Sequence, residues 1–96
     1  MRMMMRVRVP VEGGNAAVQS GELGKVIQAF MSAHKPEAAY FSADGGERTA
    51  YFFVDMTDVS MMPAMAEPFF QAFNARVEFM PVMSAADLQK GLAAKA

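Results

Sequence analysis

The chain has no cysteine and a single histidine. Disulfides and thiolate metal centres are therefore excluded, as is any cluster of histidine ligands within one chain. The scattered carboxylates show no ligand spacing, so neither a metal nor a cofactor is expected. Absence of cysteine also suits a reducing compartment, and a cytoplasmic location is the expectation. Nine basic and ten acidic residues leave a net charge of −1 and no charged run. That removes the electrostatic footprint of a nucleic-acid binder. No long uninterrupted apolar stretch exists either. Arg2, Arg6 and Arg8 break up the N-terminal segment, which therefore reads neither as a signal sequence nor as a membrane span. There is no internal repeat, linker or low-complexity tract.

What the chain has in excess is apolar surface. Hydrophobic residues make up 53% of only 96 residues, and charged ones 20%. A single small domain follows, 1–96, with limited capacity to bury its own surface. A second buried surface, such as a homodimer interface, accounts for the surplus. The eleven methionines supply an adaptable packing side chain or, in a functional reading, a plastic ligand pocket.

The segment from Met3 to Val11 organises the rest. Met3, Met5, Val7, Val9 and Val11 are apolar at every odd position, while Arg6 and Arg8 stand at even ones. A period of two marks a strand with one core face and one charged face. Glu12-Gly13-Gly14-Asn15 then reads as a turn cluster, with a loose connection through Ser20. Leu23, Val26, Ile27, Phe30 and Met31 recur at helical spacing, and Pro36 ends that helix. Ala38 to Ser42 forms a short strand, Asp44-Gly45-Gly46 a hairpin loop, and Thr49 to Met56 a longer strand. On that strand Tyr51, Phe53 and Asp55 share one face, and Phe52, Val54 and Met56 the other. A second helix carries Met62, Met65, Ala66, Phe69 and Phe73 on one side. Pro63 fits its first turn, whereas Pro68 predicts a kink or break near Glu67. Ala75 to Met83 alternates again, with Val77 and Phe79 facing one way and Arg76, Glu78 and Met80 the other. Ser84-Ala85-Ala86-Asp87 outlines a capping box that opens a short last helix with Leu88 and Leu92.

This order, β-α-β-β-α-β with a terminal helix, leaves few topologies. The commonest is the α+β ferredoxin-like sandwich, with an antiparallel sheet in the order 4-1-3-2 and both main helices on one face. Val7, Val9, Val54, Val77 and Phe79 would then meet Leu23, Ile27, Phe30, Met65, Phe69 and Phe73 in the core. The open face would present Arg6, Arg8, Tyr51, Phe53, Asp55, Arg76, Glu78 and Met80. The expected register brings Arg8 near Tyr51 and Glu78, and Arg6 near Phe53, Asp55 and Met80. Large apolar groups mixed with pairable charges suit a half-closed cavity.

In chain length, element order and the two alternating strands, the chain resembles the dimeric α/β-barrel superfamily. Its members include muconolactone isomerases, cofactor-free antibiotic-biosynthesis monooxygenases and ligand-sensing domains of small bacterial regulators. Ala66-Glu67-Pro68-Phe69-Phe70 leading to Phe79-Met80-Pro81-Val82-Met83 is similar to the corresponding stretch of small bacterial members of unassigned function. The resemblance implies that two ferredoxin-like subunits bring their open sheet faces together and that ligands bind inside. It carries no catalytic signature onto residues of this chain, and the fold hosts many chemistries.

Arg6 and Arg8 are the sharpest candidates for a site, since a guanidinium in a cavity suits a carboxylate or an enolate oxygen. Their structural alternative is to pair with Asp55 and Glu78 and fix how two sheets dock. Asp55 or Glu78 would serve as a general base only if burial raised its pKa, and neighbouring arginines act against that. His34 lies at the end of a helix, favoured there as a cation. Tyr40 and Tyr51 offer a polar tip on an apolar body. Gly45-Gly46 lacks the context of a phosphate loop. Two functions remain. In one, a homodimer holds a small apolar or aromatic anionic metabolite on the open face, as a binding protein or a cofactor-free isomerase or monooxygenase. In the other, the face is an assembly or regulatory surface only, and no pocket remains. Neither involves nucleic acid or membrane.

Overall fold

The N-terminal alternation becomes β1 (Arg2–Val9) in the computed structural model, which describes residues 1–94. Met3, Met5, Val7 and Val9 are buried, while Met4, Arg6 and Arg8 point the other way. The strand stops at Val9 rather than Val11, because Pro10 has no N–H for the ladder. Val11 instead begins a helix and is left exposed.

The expected turn at Glu12-Gly13-Gly14-Asn15 is helical: it forms the start of α1 (Val11–Ser20), opened by a 2.8 Å bond from the Gly14 N–H to the Pro10 carbonyl. The glycines there are packing features. A Cβ on Gly13 would lie 3.2 Å from the Phe73 carbonyl oxygen. One on Gly14 would lie 2.7 Å from Arg48 Nη1 and 3.2 Å from a Val9 methyl. The break falls later, at Gly21, whose φ of 82° is a left-handed conformation that separates α1 from α2 (Glu22–His34). Two substitutions separate these roles. Gly24 lies inside α2 with nothing near its missing side chain, so Gly24→Ala should raise stability by roughly 0.5–1 kcal/mol. Gly14→Leu should lower it by roughly 1–3 kcal/mol, because α1 must lift off the sheet. Urea melts of both variants check the pair, and equal effects would contradict the packing role.

Lys35 ends α2 in a left-handed conformation, its N–H reaching the Met31 carbonyl at 3.0 Å, and Pro36 prevents further helix. β2 (Ala38–Asp44) and β3 (Glu47–Asp55) follow, joined by Gly45-Gly46 with φ of 62° and 82°. Two successive positive φ values match the tight turn that the twist of a hairpin favours. Both strands run closer to the turn than the sequence reading has them, so Asp44 and Glu47 face each other across the ladder.

A 3-10 turn (Val59–Met61), capped by Asp58 accepting from the Ser60 N–H at 2.8 Å, leads into α3 (Met62–Phe73). The expected break near Glu67 does not occur, and α3 runs through Pro68. Pro68 lies on the exposed side, while Met65, Ala66, Phe69 and Phe73 are buried on the other. Burial of that stripe outweighs one lost backbone bond. β4 (Arg76–Pro81) follows, then α4 (Ala85–Ala93), whose capping box is complete: Ser84 Oγ accepts from the Asp87 N–H, and Asp87 Oδ2 accepts from the Ser84 N–H, both at 3.1 Å.

The sheet is antiparallel throughout, with order β2-β3-β1-β4; counted from the β4 edge, the same order is 4-1-3-2. β1 and β3 are interior. One face packs against α1, α2 and α3 through a core centred on Phe52, which is fully buried. The Phe52 ring centroid lies 4.5 Å from Phe30 and 6.0 Å from Phe69. Val7, Val9, Val54, Phe30, Met65, Phe69 and Phe73 are buried as the pattern predicts, whereas Leu23, Ile27, Val77 and Phe79 sit half-buried at its margin. Among the described residues, the opposite face carries no helix layer. Among the described residues, no helix is long and apolar enough to cross a membrane.

Candidate functional site on the open sheet face

Alternation and register lay the open face out as rows across the strands. Ser42, Thr49, Arg8 and Arg76 form one row. Tyr40, Tyr51, Arg6 and Glu78 form the next, followed by Ala38, Phe53, Met4 and Met80. Asp44 and Glu47 close one end of the face, while Asp55 and Arg2 mark the other.

All seven sequence-predicted site residues belong to strands of this face, but their neighbours differ from expectation. Arg6 is paired with Tyr51 and Glu78, and Arg8 with Thr49 and Arg76, a slip of two residues from the expected register. A two-residue slip keeps every side chain on its face, which is why face and register are separable. Asp55 takes no part in the arginine cluster. It sits opposite Arg2 and binds the N-terminal ammonium at 2.9 Å.

The acid that joins the arginines is Asp44, read from sequence as part of a loop. Its Oδ2 lies 3.1 Å from Arg8 Nη2 and 3.9 Å from Arg6 Nη1, and it accepts a 2.5 Å bond from the Tyr51 hydroxyl. Arg6 also clasps Glu78 Oε1, with Nη2 at 2.8 Å and Nε at 2.9 Å. Arg8 Nε is buried and has no hydrogen-bond partner among the described residues, Glu47 Oε1 being 4.0 Å away. Arg76 is exposed opposite Arg8 and makes no ion pair among the described residues. Sequence reasoning missed Asp44, Glu47, Thr49 and Met4. The signal for the first two was the glycine pair itself, because a two-residue turn forces Asp44 opposite Glu47.

These contacts set the chemistry. The Tyr51 hydrogen bond, and then the arginine charges, hold the Asp44 carboxyl below its ordinary range against the effect of burial. Tyr51 is pushed up, first by donating to Asp44 and then by burial and the adjacent negative charge. Arg6 is raised above its ordinary value by Glu78. Asp44 is thus an anion and Tyr51 a neutral phenol across the physiological range. The Asp44 contribution to stability is complete above 3.8 and is lost as pH falls through its depressed pKa. The Tyr51 contribution is complete below 10.0 and is lost as pH rises through its raised pKa. In a Tyr40→Phe background, ultraviolet titration of Tyr51 should give a midpoint above 10.0, and adding Asp44→Asn should lower it. An unchanged midpoint would contradict the pairing.

Phe53, Met4 and Met80 give the face an apolar band. Phe53 meets Tyr40 edge-on at 6.4 Å, and Tyr40 and Met80 are 63% and 52% exposed. His34 belongs to the opposite side of the sheet, its ring 4.8 Å from Phe30 in the helix layer, so it does not reach this face. Among the described residues, no group of three histidine, cysteine, aspartate or glutamate side chains is placed to hold a metal ion. The face therefore presents guanidinium donors beside aromatic and thioether surface. No protein-family model matches the chain, and no curated protein matches it.

Proposed function

We propose that two copies of the chain pair through their open sheet faces, as in a dimeric α/β barrel, and hold a small anionic metabolite with an apolar or aromatic body. The observation that carries this reading is the Arg8–Arg76 pair. Two like charges directly opposite on adjacent strands repel, and a buried guanidinium N–H without a partner is costly. An anion seated between them relieves both, and a carboxylate suits the planar fork of arginine. The neighbouring band of Met4, Phe53 and Met80 suits the rest of such a ligand. The Asp44–Tyr51 pair supplies no proton carrier near neutrality, so the reading is of a binding face. Isomerase or oxygenase chemistry would need a group on the ligand or from the second copy.

A second reading is favoured by one feature. Arg6 and Arg8 already meet Glu78 and Asp44, so the face also suits a closed assembly surface with no pocket. Thermal melts with a graded series of aromatic and aliphatic carboxylates, each beside its neutral amide, separate the two. The binding reading expects carboxylates alone to raise the melting temperature in a saturable way, with roughly 2.7 kcal/mol of added stability at a hundredfold excess over Kd. If no acid stabilises a chain that is dimeric in solution, the assembly reading replaces it.

A further inference from the structure

We infer that α4 is an exchanged arm, whose leucine side packs on the open face of a second copy and closes one end of the cavity; this rests on the pairing proposed above. Leu88 and Leu92, four residues apart on one side of the helix, are 49% and 63% exposed, and Met83 just before them is 65% exposed. Among the described residues, α4 packs extensively on no other element and meets the sheet through the Arg2–Asp87 ion pair. A nine-residue helix held by its N-terminal cap and one exposed ion pair to Arg2 is marginal in water without a surface to pack its leucine side against. The chain extends 54 Å along its longest axis and has a radius of gyration of 15.2 Å, against about 13 Å for a compact chain of this length.

Position and area identify the occupant. The first turn of α4 lies at the open face, where Asp87 Oδ2 is 3.8 Å from Arg2 Nη1. A groove of about 600 Å³ separates the helix from that end of the sheet, lined in part by Arg2, Asp55, Met83 and Gly91. The apolar band of Met4, Phe53 and Met80 begins one row inward. Four strands at ~4.8 Å spacing and about seven residues long give the open face a footprint of roughly 450 Å². An apolar arm rising from its rim adds Met83, Leu88 and Leu92 to the apolar surface available to a second copy. A copy docked on this face places its own apolar band within reach of that arm.

The absence of cysteine makes the test direct. One copy carries Leu92→Cys and a second, separately tagged, carries Met80→Cys; a third with Ala16→Cys, on α1, sets the background. Mild oxidation of the mixture should yield a Leu92→Cys to Met80→Cys crosslink between copies at several times the Ala16→Cys background. Leu92→Asp should weaken self-association at least tenfold. A dimer by mass with no such crosslink and unchanged dissociation overturns the arm and leaves the pairing standing. In a further variant that carries both Leu92→Cys and Met80→Cys, a crosslink formed only within single chains places α4 on its own face and also overturns it. A chain monomeric at every concentration removes the pairing, and the arm with it.

Discussion

Phe52→Ala should remove a large share of the stability of the chain. Phe52 is fully buried on the interior strand β3 and packs against tilted Phe30 and Phe69 rings and an edge-on Phe41 ring, with centroids at 4.5, 6.0 and 6.0 Å. Those neighbours come from α2, α3 and β2, so its ring joins two helices of the one helix layer to the sheet. Truncating a buried phenylalanine costs about 3–5 kcal/mol, and a whole domain is stable by only about 5–15 kcal/mol. For a chain of this size, the fall in melting temperature should exceed about 12 °C, at roughly 4–8 °C per kcal/mol. A thermal melt followed by circular dichroism measures it. Phe41→Ala, on the edge strand and 56% exposed, serves as the comparison and should cost far less. Similar losses from the two variants would mean that the core is not centred where the packing places it.

Arg8→Met should keep the fold and lose the ligand. The methionine stem replaces the aliphatic part of arginine, so the packing it makes along β1 survives. Asp44 retains the Tyr51 hydroxyl and the Arg6 charge, so no carboxylate is left stranded. What goes is a donor set aimed at the face, including the unpartnered Nε. A hydrogen bond to a charged group contributes about 1.5–3 kcal/mol, which corresponds to roughly a tenfold to hundredfold loss in affinity for a carboxylate. Calorimetry with the best-stabilising acid, on wild type and variant at matched protein concentration, reads it. If affinity holds while the dimer weakens, Arg8 belongs to the docking of the two sheets and the assembly reading gains.

Much of this architecture was legible in alternation. Odd and even positions of Met3 to Val9 separate the two faces, and the same is true of Tyr51 to Asp55 and Arg76 to Met80, because side chains on a strand point alternately. Register was not legible. Nothing local ties β1 to β3 or β4, and a slip of two residues leaves the hydrophobic pattern intact. That slip moved Asp55 away from Arg6. Glycine was misread at Gly13 and Gly14, since a glycine pair signals a turn or a close approach equally well, and only the proximity of Phe73, Val9 and Arg48 decides. Pro68 misled for a related reason: the cost of proline in a helix is local, while the burial that offsets it is tertiary. Asp44 was hidden by its place beside the turn, although the turn length places it opposite Glu47.

Light scattering on a sizing column, across a hundredfold dilution series, reads whether the open face closes on a second copy. Closure gives a mass of twice 10.4 kDa that persists through most of the series. A mass of 10.4 kDa at every concentration would contradict it, and the face bearing Arg6, Arg8, Arg76 and Met80 would then be a surface for a different protein.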